Sequence, residues 1–279
     1  MYLIADSGST KTLWLLCEGE TIVKEISTPG INPFYTDENS IVSLLYAGLL
    51  PQLGGIPAEA VHFYGAGCIP GEKSDMVRKA LQSVFPSSRT EVLSDLWAAC
   101  RGLCGQMPGI VCILGTGSNS CLYDGTDIVK NVPPLGFILG DEGSGAVLGR
   151  TLLADYLKGL IPSGLARQFS DRYDVSGSQV LDKIYKQPFP NRYAASFVPF
   201  IAANREHPYM SALVEKEFSR FVSRNLEQYG NSFTLNFTGS VAWFFKSAIE
   251  KVCRDAGFNV GKIVKEPAHG LVAYHACRD

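Results

Sequence analysis

The 279-residue sequence predicts an α/β protein built from two similar halves. Three observations carry this. Short apolar, β-prone runs alternate with stretches whose apolar residues recur at helical spacing. Each half opens with the same order of strand, tight turn of small residues, strand, turn and strand. The length suits roughly two domains.

In the first half, residues 2–5 form a short apolar strand. Asp6-Ser7-Gly8-Ser9-Thr10 is a turn, 12–17 is an apolar β-prone run, Glu18-Gly19-Glu20 turns the chain, and 21–26 runs back. After Asp37, Ile41, Leu44, Leu45, Gly48 and Leu49 line one face of a helix. Residues 61–65 are a strand. Residues 75–85 are a helix with its stripe at Met76, Val77, Ala80, Leu81 and Val84. Residues 91–93 are a strand that leads into a helix from 95 to about 103.

Gly, Pro and Gly break the pattern over 105–109, and the domain boundary is placed there, giving domains 1–107 and 108–266. The opening then repeats. Residues 110–114 are a strand, Gly115-Thr116-Gly117-Ser118 a turn, 119–123 a strand, Asp124-Gly125-Thr126 a turn, and 128–132 the return. Gly8-Ser9 and Ile22-Val23-Lys24 find counterparts in Gly117-Ser118 and Ile128-Val129-Lys130. A duplicated domain accounts for this; so do two ordinary hairpins. The remainder reads as helices 145–157, 179–185, 193–203, 209–228 and 241–256, with a strand at 233–237. Glu266-Pro267 opens a last helix to about 277, with proline in the first turn.

Composition narrows the function classes. The chain is 46% hydrophobic and 19% charged, which excludes disordered and fibrous classes. Lys and Arg number 25 against 27 Asp and Glu, so the net charge is −2, with a pI near 6.1. That balance excludes a dedicated nucleic-acid binder. It leaves room for a ligand phosphate met by backbone dipoles and metal. No apolar run reaches the roughly 18 residues that span a bilayer, and no signal-peptide pattern opens the chain. A soluble, cytoplasmic protein is expected. The eight cysteines, at 17, 68, 100, 104, 112, 121, 253 and 277, are scattered through apolar stretches without a C-x-x-C pair. They read as buried, reduced small hydrophobes. The four histidines show no H-E-x-x-H spacing.

Five segments can carry chemistry. In Asp6-Ser7-Gly8-Ser9-Thr10-Lys11-Thr12, small residues let backbone N–H groups approach an anion, hydroxyls and Lys11 add donors, and Asp6 can hold Mg²⁺ directly or through water. A plain hairpin explains the same residues equally well. It is not a Walker loop, because G-x-x-x-x-G-K-[ST] is missing and a strand follows. Gly115-Thr116-Gly117-Ser118-Asn119 is a second such turn at the equivalent place. Gly140-Asp141-Glu142-Gly143-Ser144-Gly145 sets two carboxylates before a helix, where Asp141 either binds a substrate hydroxyl or complements the helix dipole. Asp95 stands at a strand–helix junction, as a cap or as a general base. Phe237-Thr238-Gly239-Ser240-Val241-Ala242 ends a strand in Gly-Ser before a helix, where a flat ligand or an ordinary β–α turn fits.

Taken in order, these motifs resemble the BadF/BadG/BcrA/BcrD-type ATPases, and among them the N-acetylglucosamine kinases of the actin, Hsp70 and sugar-kinase superfamily. The resemblance covers nearly the whole chain. It implies two duplicated ribonuclease-H-like (actin-like ATPase) domains around a nucleotide cleft, with the closing helix 267–279 returning to the first domain. It implies ATP and Mg²⁺ as cofactors. Ser9, Thr10, Lys11 and Thr12 match the first phosphate motif, with Asp6 near the metal; Gly115, Thr116 and Gly117 match the second; Gly239 and Ser240 match the adenosine motif. Asp95 matches the catalytic aspartate, and Asn32, Asn119 and Asp141 match sugar-contacting positions. The chain is shorter than the animal N-acetylglucosamine kinases, mostly in the second domain.

The expected activity is ATP-dependent phosphorylation of an amino sugar at the 6-hydroxyl, with a homodimer implied by the family alone. N-acetylglucosamine, glucosamine and N-acetylmuramic acid all fit. The alternatives are an ATPase that activates a radical dehydratase through a shared iron–sulfur cluster, whose cysteine motif is not recognisable here, and a nucleotide sensor without turnover.

Overall fold

The computed structural model describes residues 1–8 and 10–277. The chain divides into two units, Met1–Met107 with the segment from Glu266 onward, and Pro108–Lys265. Glu266, assigned by sequence to the second domain, belongs with the first.

The first unit holds one five-stranded sheet. Its strands are β1 (Tyr2–Ser7), β2 (Lys11–Glu18), β3 (Thr21–Pro29), β4 (Ala60–Gly65) and β5 (Arg89–Ser94), in the spatial order β3-β2-β1-β4-β5. β1, β2 and β3 form an antiparallel meander; β4 and β5 add in parallel. Both faces are covered, so residues 2–5 of β1 are all apolar rather than alternating with polar residues, before the strand ends in Asp6 and Ser7. Leu3 and Ala5 enter a core with Trp14, Phe63 and Leu81 under the helices Glu38–Leu44 and Glu72–Val84. Tyr2 and Ile4 enter a core on the other face with Leu15, Tyr64 and Leu271, under Asp95–Cys104 and Ala268–Ala276. The helix predicted after Asp37 is present but widens by one π turn over Leu45–Leu49.

The C-terminal helix docks by backbone contact. A Cβ on Gly270 would lie 1.9 Å from the carbonyl oxygen of Gly102, so only glycine permits this crossing. Beside it a polar network joins four elements. His275, from the C-terminal helix, stacks on His62 of β4 with ring centroids 3.7 Å apart, and its Nε2 meets Tyr64 Oη at 2.9 Å. Arg101 donates to Tyr64 Oη at 2.7 Å and to Glu91 Oε2 at 2.8 Å, and His62 Nδ1 lies 3.2 Å from the same Glu91 oxygen.

The second unit repeats the plan. Its strands are β6 (Gly109–Leu114), β7 (Ser118–Tyr123), β8 (Ile128–Val132), β9 (Leu235–Thr238) and β10 (Val260–Val264), in the order β10-β9-β6-β7-β8. Here too the first three are antiparallel and the last two parallel. The repeat extends to an irregularity: the pairing slips at Leu16/Cys17 in one meander and at Leu122/Tyr123 in the other. With these aligned, Ile22 matches Ile128, as the sequence suggests, but Thr12 rather than Ser9 matches Ser118. Four residues separate the paired Ser7 and Thr12, and three separate Leu114 and Ser118. The first turn is one residue longer, and that displaced the sequence comparison.

Several helices differ from expectation for local reasons. Residues 193–203 form two helices, Pro190–Ala195 and Val198–Ala203, because Pro199 lacks the N–H a continuous helix needs. Residues 241–256 divide at Phe245 into Ser240–Phe244 and Lys246–Asp255. Residues 209–228 end as a 3₁₀ turn after Pro208–Arg224. The helix Ser163–Arg172 buries only Leu165 and Phe169, and β10 buries only Ile263, so neither carried a readable apolar pattern. Among the described residues no helix is long and apolar enough to cross a membrane.

Two outcomes are expected. Gly270→Ala forces the two helices of the first unit apart and lowers stability by about 3 kcal/mol, measurable by chemical denaturation. Burial alone raises the Glu91 pKa, but the hydrogen bonds from His62 and Arg101 and the guanidinium charge outweigh it and bring the group to about 2. A depressed carboxyl stabilises the fold above its unfolded pKa and loses that contribution as pH falls through the folded value. Glu91→Gln should therefore destabilise at neutral pH and converge with the parent near pH 2, as read by Tm across pH.

Candidate nucleotide and sugar site

β1, β4 and β5 run parallel, so their carboxyl ends emerge at one edge of the first sheet. In open α/β sheets that edge is where ligands bind. Asp6 lies near the end of β1, and Asp95 is the first helical residue after β5. Both are half-buried. Burial, then the charges of Asp95 and Glu266, push Asp6 up to about 7 against the opposing pull of Lys11. Burial raises Asp95 as well, opposed by the backbone N–H groups of Leu96 and Asp95 itself. Glu266, more than 160 residues beyond Asp95, gave no sequence signal of its place here.

The turn after β1 is locked from within. Ser7 Oγ and Thr12 Oγ1 lie 2.7 Å apart, the Ile31 N–H donates to Ser7 Oγ at 2.9 Å, and Thr12 Oγ1 donates to the Pro29 carbonyl at 3.1 Å. Thr12 is buried and its hydroxyl is spent inside the hairpin. Thr10 and Lys11 are exposed at the tip. Ser9 lies outside the described residues. The bond between Ile31 and Ser7 places the neighbouring Asn32, which is buried and whose Oδ1 accepts the Phe34 N–H at 3.0 Å.

In the second unit three predicted motifs meet at the end of β6. The Gly115 and Thr116 carbonyls accept the Gly145 and Ala146 N–H groups at 2.8 and 3.0 Å. Asp141 Oδ1 accepts the Ser118 N–H at 3.1 Å. Ser144, not Asp141, caps the helix Gly145–Leu157 through the Val147 N–H. Burial raises Asp141 to about 6, with the Ser118 N–H pulling down and the Glu142 charge pushing up. Gly239 sits at φ +111°, and a Cβ there would lie 2.3 Å from the Leu114 carbonyl oxygen. Ser240 is exposed beside it. Asn119 faces a different neighbour: its Oδ1 accepts from Ser120 N and Asn131 Nδ2, both at 2.9 Å.

Thr238, which ends β9 before Gly239, is buried, and its Oγ1 has no hydrogen-bond partner among the described residues. Such orphaned groups call for an explanation. Thr238 lay inside a motif singled out by sequence, but its hydroxyl is distinguished only by the structure.

No protein-family model and no curated protein matches the chain. A solved structure does. A candidate N-acetylglucosamine kinase from Porphyromonas gingivalis is 44% identical, with 100% of this chain and 99% of that one covered and a TM-score of 0.97. The chain belongs to the N-acetylglucosamine kinase-like family. A second candidate N-acetylglucosamine kinase, from Chromobacterium violaceum, is 18% identical over 98% of this chain and 99% of its own, at a TM-score of 0.77. The activator of 2-hydroxyisocaproyl-CoA dehydratase from Clostridium difficile, solved with ADPNP, is 15% identical over 99% and 93%, at 0.52. These two share the fold, which is that of actin-like ATPases and sugar kinases.

The donor sets of this family member suit the expected cofactors. Asp6 and Asp95 are desolvated oxygen donors whose negative charges repel, an arrangement that a hard divalent cation relieves. The orphan hydroxyl of Thr238 lies next to the close approach of Gly239 to Leu114, among turns rich in backbone donors. Carboxyls held above their unfolded pKa cost stability once ionised. Asp6→Asn should therefore raise the Tm of the ligand-free protein at pH 8 by a few degrees, and that gain should vanish below about pH 4, where the parent carboxyl is protonated in both states.

Proposed function

We propose that this member of the N-acetylglucosamine kinase-like family is an ATP-dependent sugar kinase acting on an N-acetylglucosamine-like amino sugar at its 6-hydroxyl. The observation that carries the reading is the desolvated Asp95, beside Asp6 at the ligand-binding edge of the first sheet, in a chain 44% identical to a candidate N-acetylglucosamine kinase.

Asp95 is the general base. Its backbone bonds hold the carboxylate in place, and desolvation makes it a stronger proton acceptor than an exposed aspartate. As the sugar oxygen attacks the γ-phosphorus of ATP, Asp95 takes the hydroxyl proton and ADP leaves with the former bridging oxygen. Phosphoryl transfer relies on positioning and charge stabilisation more than on covalent chemistry. Ser9, Thr10, Lys11 and the Gly115-Thr116-Gly117 turn are the phosphate donors, with Thr12 bracing the first turn. Gly239 and Ser240 receive the adenosine. Asn32, Asn119 and Asp141 take the sugar hydroxyls. Asp6 would hold Mg²⁺, which when bound would supply neutralising charge to the phosphate oxygens.

The iron–sulfur activator reading is disfavoured by the thiols. Six of the eight cysteines are buried, and burial pushes Cys17 up to about 11 and Cys253 up to about 12. Burial and then the Asp95 charge do the same to Cys68, at about 12. Cluster ligation needs thiolates converging on one site.

Coupled ADP release against a sugar panel, with a no-sugar control, tests the reading. Turnover is expected with N-acylated or free amino sugars and not without sugar; equal ADP release in the control rejects it. Asp95→Asn should lower kcat by about 10³-fold while ATP still binds. A near-normal rate removes Asp95 from the base role.

A further inference from the structure

We propose that Arg224 is a positioning residue for sugar binding: by pairing with buried Glu142 it holds the 140–144 turn, and through that turn the carboxylate of Asp141. The inference rests on the reading of Asp141 as a sugar contact.

Asp141 adopts φ +53°, in the left-handed region that non-glycine residues enter at a cost. Such a conformation persists only where the surroundings over-determine it. Part of the restraint is backbone: the Asp141 N–H donates to the Pro134 carbonyl at 2.8 Å, and the Ser144 N–H donates to the Asp141 carbonyl at 3.0 Å. The next residue makes the turn vulnerable. Glu142 is only 5% exposed, and a carboxylate that deeply placed is stable only when paired. Arg224 Nε is bonded to Glu142 Oε1, and Asn225 Nδ2 reaches Glu142 Oε2 at 3.5 Å. Both partners come from the end of the helix Pro208–Arg224, whose Phe218 and Phe221 lie against the same turn at Gly143.

An arginine in a last helical turn also complements the helix dipole, and that would explain Arg224 without reference to a site. The same helix supplies the comparison. Glu217, 2% exposed, pairs with Arg220 at 3.0 Å and accepts from Thr151 Oγ1 at 3.3 Å, so both of these partners lie outside the 140–144 turn in sequence. Two buried glutamates are thus each neutralised by an arginine of one helix, and only one pair adjoins Asp141.

The pair also acts by charge. The charged group bearing directly on Asp141 is Glu142, on its own segment, and Arg224, from the packed helix, is paired with that carboxylate. Without Arg224, the Glu142 charge acts uncompensated, and Asp141 keeps its proton to higher pH. A protonated Asp141 is a poorer acceptor for a sugar hydroxyl.

The test compares Arg224→Met with Arg220→Met. Arg224→Met should raise the sugar KM about tenfold, leave kcat and the ATP KM within about twofold, and move the acid limb of kcat/KM for sugar up by about one pH unit. Arg224→Lys should recover most of this. Arg220→Met should lower stability and move neither KM nor the limb. If the two Met variants behave alike, the positioning role is overturned. Should Arg224→Met not fold, Arg224→Gln replaces it: the same rise in sugar KM and upward move of the acid limb are expected, and an unmoved KM and limb overturn the role. Carbon-13 titration of the Asp141 carboxyl without substrate separates the two levels. An unchanged titration in Arg224→Met, in a protein that phosphorylates sugar, overturns this inference alone. A shifted titration in a protein that phosphorylates no sugar overturns the sugar reading and this role with it.

Discussion

Parallel pairing of β4 with β1, and of β9 with β6, is the constraint on which the candidate site depends. Antiparallel neighbours would send their ends to opposite edges. Parallel ones deliver them to a single edge, so Asp6 and Asp95, 89 positions apart in sequence, emerge together. The same pairing in the second unit brings Gly239 against the Leu114 carbonyl beside the Gly115 turn. In each unit the meander is local, while the parallel strand comes from later in the chain and completes the site.

The buried and half-buried carboxylates sort into two kinds by how they are compensated. Glu91, Glu142 and Glu217 each have an arginine, and Glu91 a histidine as well. Their charge is met within the fold, and they join elements together. Asp6, Asp95 and Asp141 have no such partner strong enough to hold them at ordinary values, and all three are raised. A fold that leaves three carboxylates under-compensated at loop-lined strand ends stores a cost that a cation or a hydroxyl-bearing ligand can relieve.

The meanders and the first-unit strands were legible because both faces of the sheet are covered, which makes β6 and residues 2–5 of β1 continuous apolar runs and leaves β4 apolar but for His62. The small-residue turns were legible because glycines and hydroxyls have few other uses at such density. β10 was not, since an edge strand buries little; nor was the break at Phe245, where an apolar stripe continues although the backbone turns. In the site, Asp6, Asp95 and Asp141 stood out by type and position. Glu266 and Arg224 did not, because an exposed-looking acid and a helix-end arginine acquire meaning only from what the chain folds them against.

The duplication explains why the two turns are not interchangeable. Aligned on their shared irregularity, the strand ends Asp6-Ser7 and Ile113-Leu114 occupy the same place. The first unit sets a carboxylate and a hydroxyl there; the second sets two apolar residues. With apolar residues at its strand end, the second turn is held through its backbone: its carbonyls are tied to the helix Gly145–Leu157, and Gly239 approaches Leu114 where a Cβ would not fit. The first turn, longer by one residue, keeps side-chain donors at its tip and needs the Ser7–Thr12 bond to hold its base closed. One supersecondary unit thus recurs with two different strand ends, one carrying a carboxylate and a hydroxyl and the other two apolar residues.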